Sequence, residues 1–127
     1  MKAYIACVIG TLALLSLAQA APAKEEGRYL AKPLKGDYYV YGGTLGEMTP
    51  PTQKDRKVSF MFKGPLAQDL FNQIGPDVKK EESCGSAGDY RERRRGDLDC
   101  TYTKDDGYAC YFGVDVVSGK STYGTIC

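Results

Sequence analysis

Three groups of side chains in this sequence could do chemistry: its cysteines, a run of arginines and several acids set side by side. Histidine is absent, which removes the commonest general base and the commonest transition-metal ligand, and with them every histidine-dependent triad and the usual zinc sites. Cys84, Cys100, Cys110 and Cys127 fall in the last third of the chain. No two of them show the close CxxC spacing of a structural zinc site, and an even set in a small exported domain reads as two disulfides. No metal and no cofactor is expected. For catalysis the candidates are carboxylates such as Glu81-Glu82, Asp105-Asp106 and Asp115, plus scattered lysines and serines, and two carboxylates about 5 to 10 Å apart would suffice for a glycosidase. Adjacent acids in a turn diverge and stay solvated, however, so Asp105 and Asp106 read as turn formers and no catalytic residue is assigned.

Arg91, Arg93, Arg94 and Arg95, with only Glu92 among them, make the densest charge cluster. A central strand would drive alternate guanidinium groups into the core, where their desolvation is prohibitive. The run must therefore be a loop or an exposed edge. It serves either to block edge-to-edge association or to bind an anion or a partner's acidic patch through bidentate forks. Tyr111 joins it as a candidate contact, because tyrosine offers rigid apolar area with a polar tip. Lys104, Asp105, Asp106 and Gly107 form a compact turn that an inhibitor could insert into an enzyme cleft.

The elements that position these residues follow from periodicity. Residues 1–20 carry Lys2, an apolar stretch and Ala18-Gln19-Ala20, the pattern of a cleaved secretory signal, with a second cleavage site after Ala23. Cys7 leaves with that segment, whose apolar run is shorter than the ~20 residues of a membrane span. Of 127 residues 107 remain, enough for a single core, and with Lys2 removed 16 basic residues face 16 acidic ones. A neutral balance argues against nucleic acid as a partner. Residues 21–36 read as a flexible lead-in, and residues 37–127 as one α+β domain.

Within that domain, Asp37 to Tyr41 and Lys57 to Lys63 have strand character, with Val58, Phe60 and Phe62 on one face. Gly64-Pro65 opens a helix and Gly75-Pro76 closes it, while Leu66, Ala67, Leu70, Phe71 and Ile74 supply its apolar stripe. Leu98, Cys100 and Tyr102 alternate with polar residues, as do Tyr108, Cys110, Phe112, Val114 and Val116. Gly107 suits the left-handed position after a type I turn, setting Cys100 opposite Phe112. A second hairpin turning at Ser118-Gly119, with Val117 facing Lys120, sets Cys110 opposite Cys127. The expected disulfides are then Cys110 with Cys127 and Cys84 with Cys100, in a mostly antiparallel sheet of about five strands with one helix packed on one face.

The phrases PLAQDLFNQIGPD and GYACYFGVDVVSGKSTYGTIC resemble small exported bacterial proteins with a cysteine-rich C-terminal half and no assigned function. The resemblance implies a periplasmic or secreted setting and supplies no catalytic residue. The expectation is a non-enzymatic binding protein for an envelope protein or cell-wall component. The alternatives are an inhibitor or immunity protein against a cell-wall hydrolase and, third, a small carboxylate-based hydrolase.

Overall fold

The computed structural model describes residues 30–127, and the compact unit in it runs from Lys32 to Cys127. The signal segment 1–20 and the lead-in through residue 29 lie outside the described residues. Strand β1 (Lys35–Gly43) starts inside the stretch expected to be flexible, because Lys35 and Gly36 already pair with Lys63 and Phe62. It is followed by β2 (Met48–Thr49), β3 (Lys57–Lys63), α1 (Gly64–Gln73), β4 (Arg91–Arg95), β5 (Leu98–Thr103), β6 (Gly107–Asp115) and β7 (Ser121–Thr122). These strands form one antiparallel sheet in the order β2-β1-β3-β6-β5-β4, with β7 also paired to β6. The sheet therefore has seven strands rather than about five. The added ones are the two-residue β2, folded out of the irregular stretch before Pro50, and the arginine strand β4. Among the described residues no helix is long and apolar enough to cross a membrane.

Helix α1 starts where Pro65 loses nothing by lacking an amide hydrogen, and Gly64 before it adopts φ +68°, a left-handed conformation that suits glycine. Ala67, Phe71 and Ile74 pack into the sheet against Cys100 and Cys110, while Leu66 at the edge of the expected stripe stays exposed. Phe62, Leu70, Leu98, Tyr102 and Tyr108 close the cluster. The Phe71 ring meets Tyr108 edge-on with centroids 5.2 Å apart, the favoured geometry for such a pair.

Both hairpin registers differ from expectation by two residues, which leaves the faces unchanged and alters the disulfides. Gly107, at φ +73°, itself pairs with Thr103, so the turn is one pair tighter and Cys100 faces Cys110 directly. The bonds formed are Cys100–Cys110, with Cα atoms 4.0 Å apart, and Cys84–Cys127. The expected pairing of Cys110 with Cys127 fails because β5 already occupies that stretch of β6, from Gly107 to Tyr111. What remains for the returning chain is Gly113 and Val114, opposite Thr122 and Ser121. Asp115 sets this register, since its carboxylate accepts the amides of Val117 at 2.9 Å and Ser118 at 3.1 Å and so draws Val116 and Val117 into the turn. Beyond Thr122 the chain crosses the face opposite α1, where Ser59 Oγ donates to the Gly124 carbonyl at 2.5 Å. Any Cβ on Gly124 would collide with the Phe112 backbone.

Two measurements check this arrangement. Phe71→Ala should cost ~3–5 kcal/mol in urea denaturation, because the cavity it leaves lies in the middle of the cluster. Non-reducing peptide mapping should find Cys84 joined to Cys127 and Cys100 to Cys110, with limiting dithiothreitol opening the first well before the second. Both cysteines of the first bond are exposed and both of the second are fully buried; a peptide joining Cys110 to Cys127 would overturn the register.

Candidate functional site

Strand parity decides what the arginines can do. Arg91, Arg93 and Arg95 pair with Tyr102, Cys100 and Leu98 and so share the helix face, whereas Arg94 pairs with Asp99 and lies on the other. On the helix side, Arg91 Nε and Arg93 Nε donate to the two oxygens of Asp77 at 2.7 and 2.6 Å. The Arg91 hydrogen bond is the chief cause that draws the Asp77 carboxyl down to about 2. Both guanidinium groups lie over the Phe71 ring, at 5.2 and 4.4 Å from its centroid. Arg93 Nη1 also donates to the carbonyls of Phe71 and Ile74 at 2.9 and 3.2 Å, satisfying acceptors that the helix end leaves open. Arg95 stays exposed, its Nη2 3.4 Å from the Gly75 carbonyl. The structure thus splits the cluster between the two faces of β4, the last strand in the order of the sheet.

The other face carries what the residue types alone did not reveal. Reading across the strands, one row runs Arg94, Asp99, Tyr111, Met61 and the next runs Glu92, Thr101, Ala109, Lys63. Ala109 is the small member at the centre. The chain at Cys84 and Tyr90 and the returning segment at Thr125 and Ile126 bridge over this hollow without filling it, leaving a cavity of about 330 Å³. The Cys84–Cys127 disulfide joins the two covering segments.

Glu92 and Asp99 are 1% and 5% exposed, which for two carboxylates on neighbouring strands requires compensation. Glu92 has it. Its carboxylate accepts the Cys84 amide at 2.7 Å and the Tyr90 hydroxyl at 3.2 Å, and it pairs with Arg94. Gly85 makes room for this, because a Cβ there would occupy the Tyr90 ring. Burial, reinforced by the Glu92 charge, pushes the Tyr90 phenol far above its ordinary value. Asp99 is served less well: Arg94 Nε approaches its Oδ2 only to 3.6 Å, and its buried Oδ1 has no hydrogen-bond partner among the described residues. Burial is the main cause that lifts the Asp99 carboxyl to about 6, the Glu92 charge adds to it, and Arg94 opposes both. Asp99 lines the cavity and Glu92 does not.

Of the residues singled out by type, Tyr111, Asp106 and Gly107 meet at this cavity. Burial raises the Tyr111 phenol, while a hydrogen bond with Thr101 works the other way. Lys104 and Asp105 project from the turn into solvent, with the Lys104 amide held by Asp89 Oδ2 at 2.8 Å. Cys84 Sγ, Glu92 and Asp99 bring candidate metal-ligating atoms within 4.8 Å of one another. They make a poor donor set, because the sulfur is spent in a disulfide and the Arg94 guanidinium already lies against both carboxylates. What the arrangement can do is accept hydrogen bonds or positive charge at Asp99, against Tyr111 and the Thr101 hydroxyl. The signal that could have located it is an acid at an inward strand position opposite an arginine. Comparison with protein-family models, with curated proteins and with solved structures finds no match, so a functional reading rests on this chemistry.

The raised Asp99 value carries a sign. Between its ordinary 3.8 and about 6 the folded state binds more protons than the unfolded one, so this contribution to stability is complete below 3.8 and is lost as pH rises through 6. Asp99→Asn should flatten the fall measured by urea denaturation between pH 4 and 7 and raise stability at pH 8 by about 1–3 kcal/mol. An unchanged profile would mean that Asp99 is solvated.

Proposed function

We propose that this protein is a small exported, non-enzymatic binding domain that takes a hydrogen-bond-donating part of an envelope or cell-wall ligand in the cavity over Ala109. The observation that carries this reading is Asp99, a buried carboxylate that lines the cavity, whose Oδ2 meets Arg94 only at 3.6 Å and whose enclosed Oδ1 has no hydrogen-bond partner among the described residues. A folded protein tolerates such a group at a cost, and a ligand that supplies a donor recovers it. The volume lies at the lower end of the range for small-ligand sites, and Tyr111 beside Thr101 offers an apolar plane next to hydroxyls, which suits a sugar or a peptide end. Two disulfides fit an oxidising compartment outside the cytosol. The arginine edge supports anion capture less well, since Arg91, Arg93 and Arg94 each have an acid partner already.

One observation favours the inhibitor reading second. The Lys104 to Gly107 turn is exposed at its tip yet held at both ends, by Asp89 and by the Thr103 hydroxyl bonded to the Asp106 amide at 3.0 Å. A stiff projecting turn is what insertion into an enzyme cleft needs.

Titrating the ¹⁵N-labelled protein with a soluble digest of bacterial cell wall distinguishes the two. The cavity reading expects amide shifts at Met61, Thr101 and Tyr111, weakened at least tenfold by Tyr111→Ala and unchanged by Arg95→Ser. Absence of any shift would overturn it. Protection of a wall suspension from lysis by a hydrolase, lost on replacing Lys104 and Asp105, would move the function to the turn.

A further inference from the structure

The polar groups around the cavity allow its ligand to be narrowed, on the premise that the cavity is the binding site. We infer that the group seated against Asp99 is a protonated amine, as on an amino sugar with a free amino group or on a diamino acid side chain. The geometry supplies a charge balance. Two buried carboxylates, Glu92 and Asp99, share one guanidinium, that of the exposed Arg94, so a single negative charge is left over. Arg94 spends its closest contact on Glu92 and stands 3.6 Å from Asp99, so the surplus resides on the acid that lines the cavity. Lys63 and Asp106, one residue of each charge, also line the cavity.

Each class of ligand meets this arrangement differently. A carboxylate or phosphate would be brought against the Asp99 carboxylate, whose neighbouring cation, Arg94, is already held by Glu92. A neutral hydroxyl could donate one hydrogen bond and leave the surplus charge uncompensated. A primary ammonium brings both the donor and the charge, and a charge-assisted bond in a water-poor setting is about twice as strong as a neutral one. Tyr111 at the wall and the ring of Tyr90 opposite are the aromatic neighbours a cation prefers. The groups that face Asp99 are Glu92 and Arg94 from β4, Tyr111 from β6, Lys63 from β3 and Tyr90 from the covering chain. Asp99, its carboxyl lifted by burial to about 6, changes charge between pH 5 and pH 8.

The test uses pairs of probes that differ only in the amine: glucosamine against N-acetylglucosamine, and lysine against Nε-acetyl-lysine, each titrated into the oxidised full-length protein and followed by amide shifts. The expected result is that the free-amine member of at least one pair shifts Thr101 and Tyr111 with an affinity tenfold or more above its acetylated partner. That preference should shrink at pH 5 and disappear in Asp99→Asn. Should the acetylated members bind equally well at the same residues, the amine inference falls while the cavity remains the site. If neither member shifts cavity residues although the wall digest does, the inference falls as well; if the digest is also silent, both readings fall. The probe pairs act on the unmodified protein, so the outcome stands even if Asp99→Asn fails to fold.

Discussion

The Cys100–Cys110 bridge lies at the point where the two faces of this sheet are decided. It joins residues that sit directly opposite on β5 and β6, so it locks the register of the hairpin at its centre. Successive strand residues point to opposite faces, and a slip of one position would exchange every side chain on β5 between the helix and the cavity. With the lock in place, Leu98, Cys100 and Tyr102 meet α1, and Asp99 and Thr101 meet the other side. The same pairing fills the edge of β6 beside Cys110. The returning chain is confined to Gly113 and Val114, and Cys127 is left to reach Cys84 across the second face. One covalent constraint in the core thus determines where the exposed disulfide forms and which segments cover the cavity.

The arginine strand shows how a sheet edge rich in one charge is stabilised from within. Alternation sends Arg94 to the side opposite Arg91, Arg93 and Arg95, and each side supplies acids that offset the repulsion: Asp77 beneath Arg91 and Arg93, Glu92 and Asp99 beneath Arg94. Arg93 also ends the helix, since its second nitrogen bonds the carbonyls that α1 leaves free. The guanidinium groups of Arg91 and Arg93 lie over the Phe71 ring while both stay paired with Asp77. A strand that reads as a solvated charge run is therefore a fastener on one face and a counter-charge on the other.

The cavity owes its existence to one small side chain and its character to an unequal distribution of hydrogen bonds. Ala109 stands where a larger residue would have filled the space between Thr101 and Lys63. Glu92 collects an amide, a phenol and a guanidinium, whereas Asp99 receives only the far side of Arg94. Two acids in nearly the same degree of burial consequently differ in kind. One is a satisfied structural group, and the other retains capacity that the fold does not use.

How much of this was legible in the sequence depends on how local the determinant is. The helix between Gly64-Pro65 and Gly75-Pro76, the alternation of β3, β5 and β6, the even set of cysteines and the confinement of the arginines to an edge are all properties of short windows. Backbone sterics and side-chain period act there without reference to the rest of the chain. Asp115 was present in its hairpin, yet its carboxylate capping the turn shifted the register by a pair that composition did not specify. The disulfide partners, the division of the arginines between Asp77 and Glu92, and the burial of Asp99 depend on which strand reaches β6 first and on what crosses the sheet afterwards. Those are contacts between residues far apart in the chain, settled by competition for hydrogen-bonding edges and for space. The sequence by itself determined the elements and the faces of each, and the tertiary structure alone decided which charges would be buried together and which of them would be left without a partner.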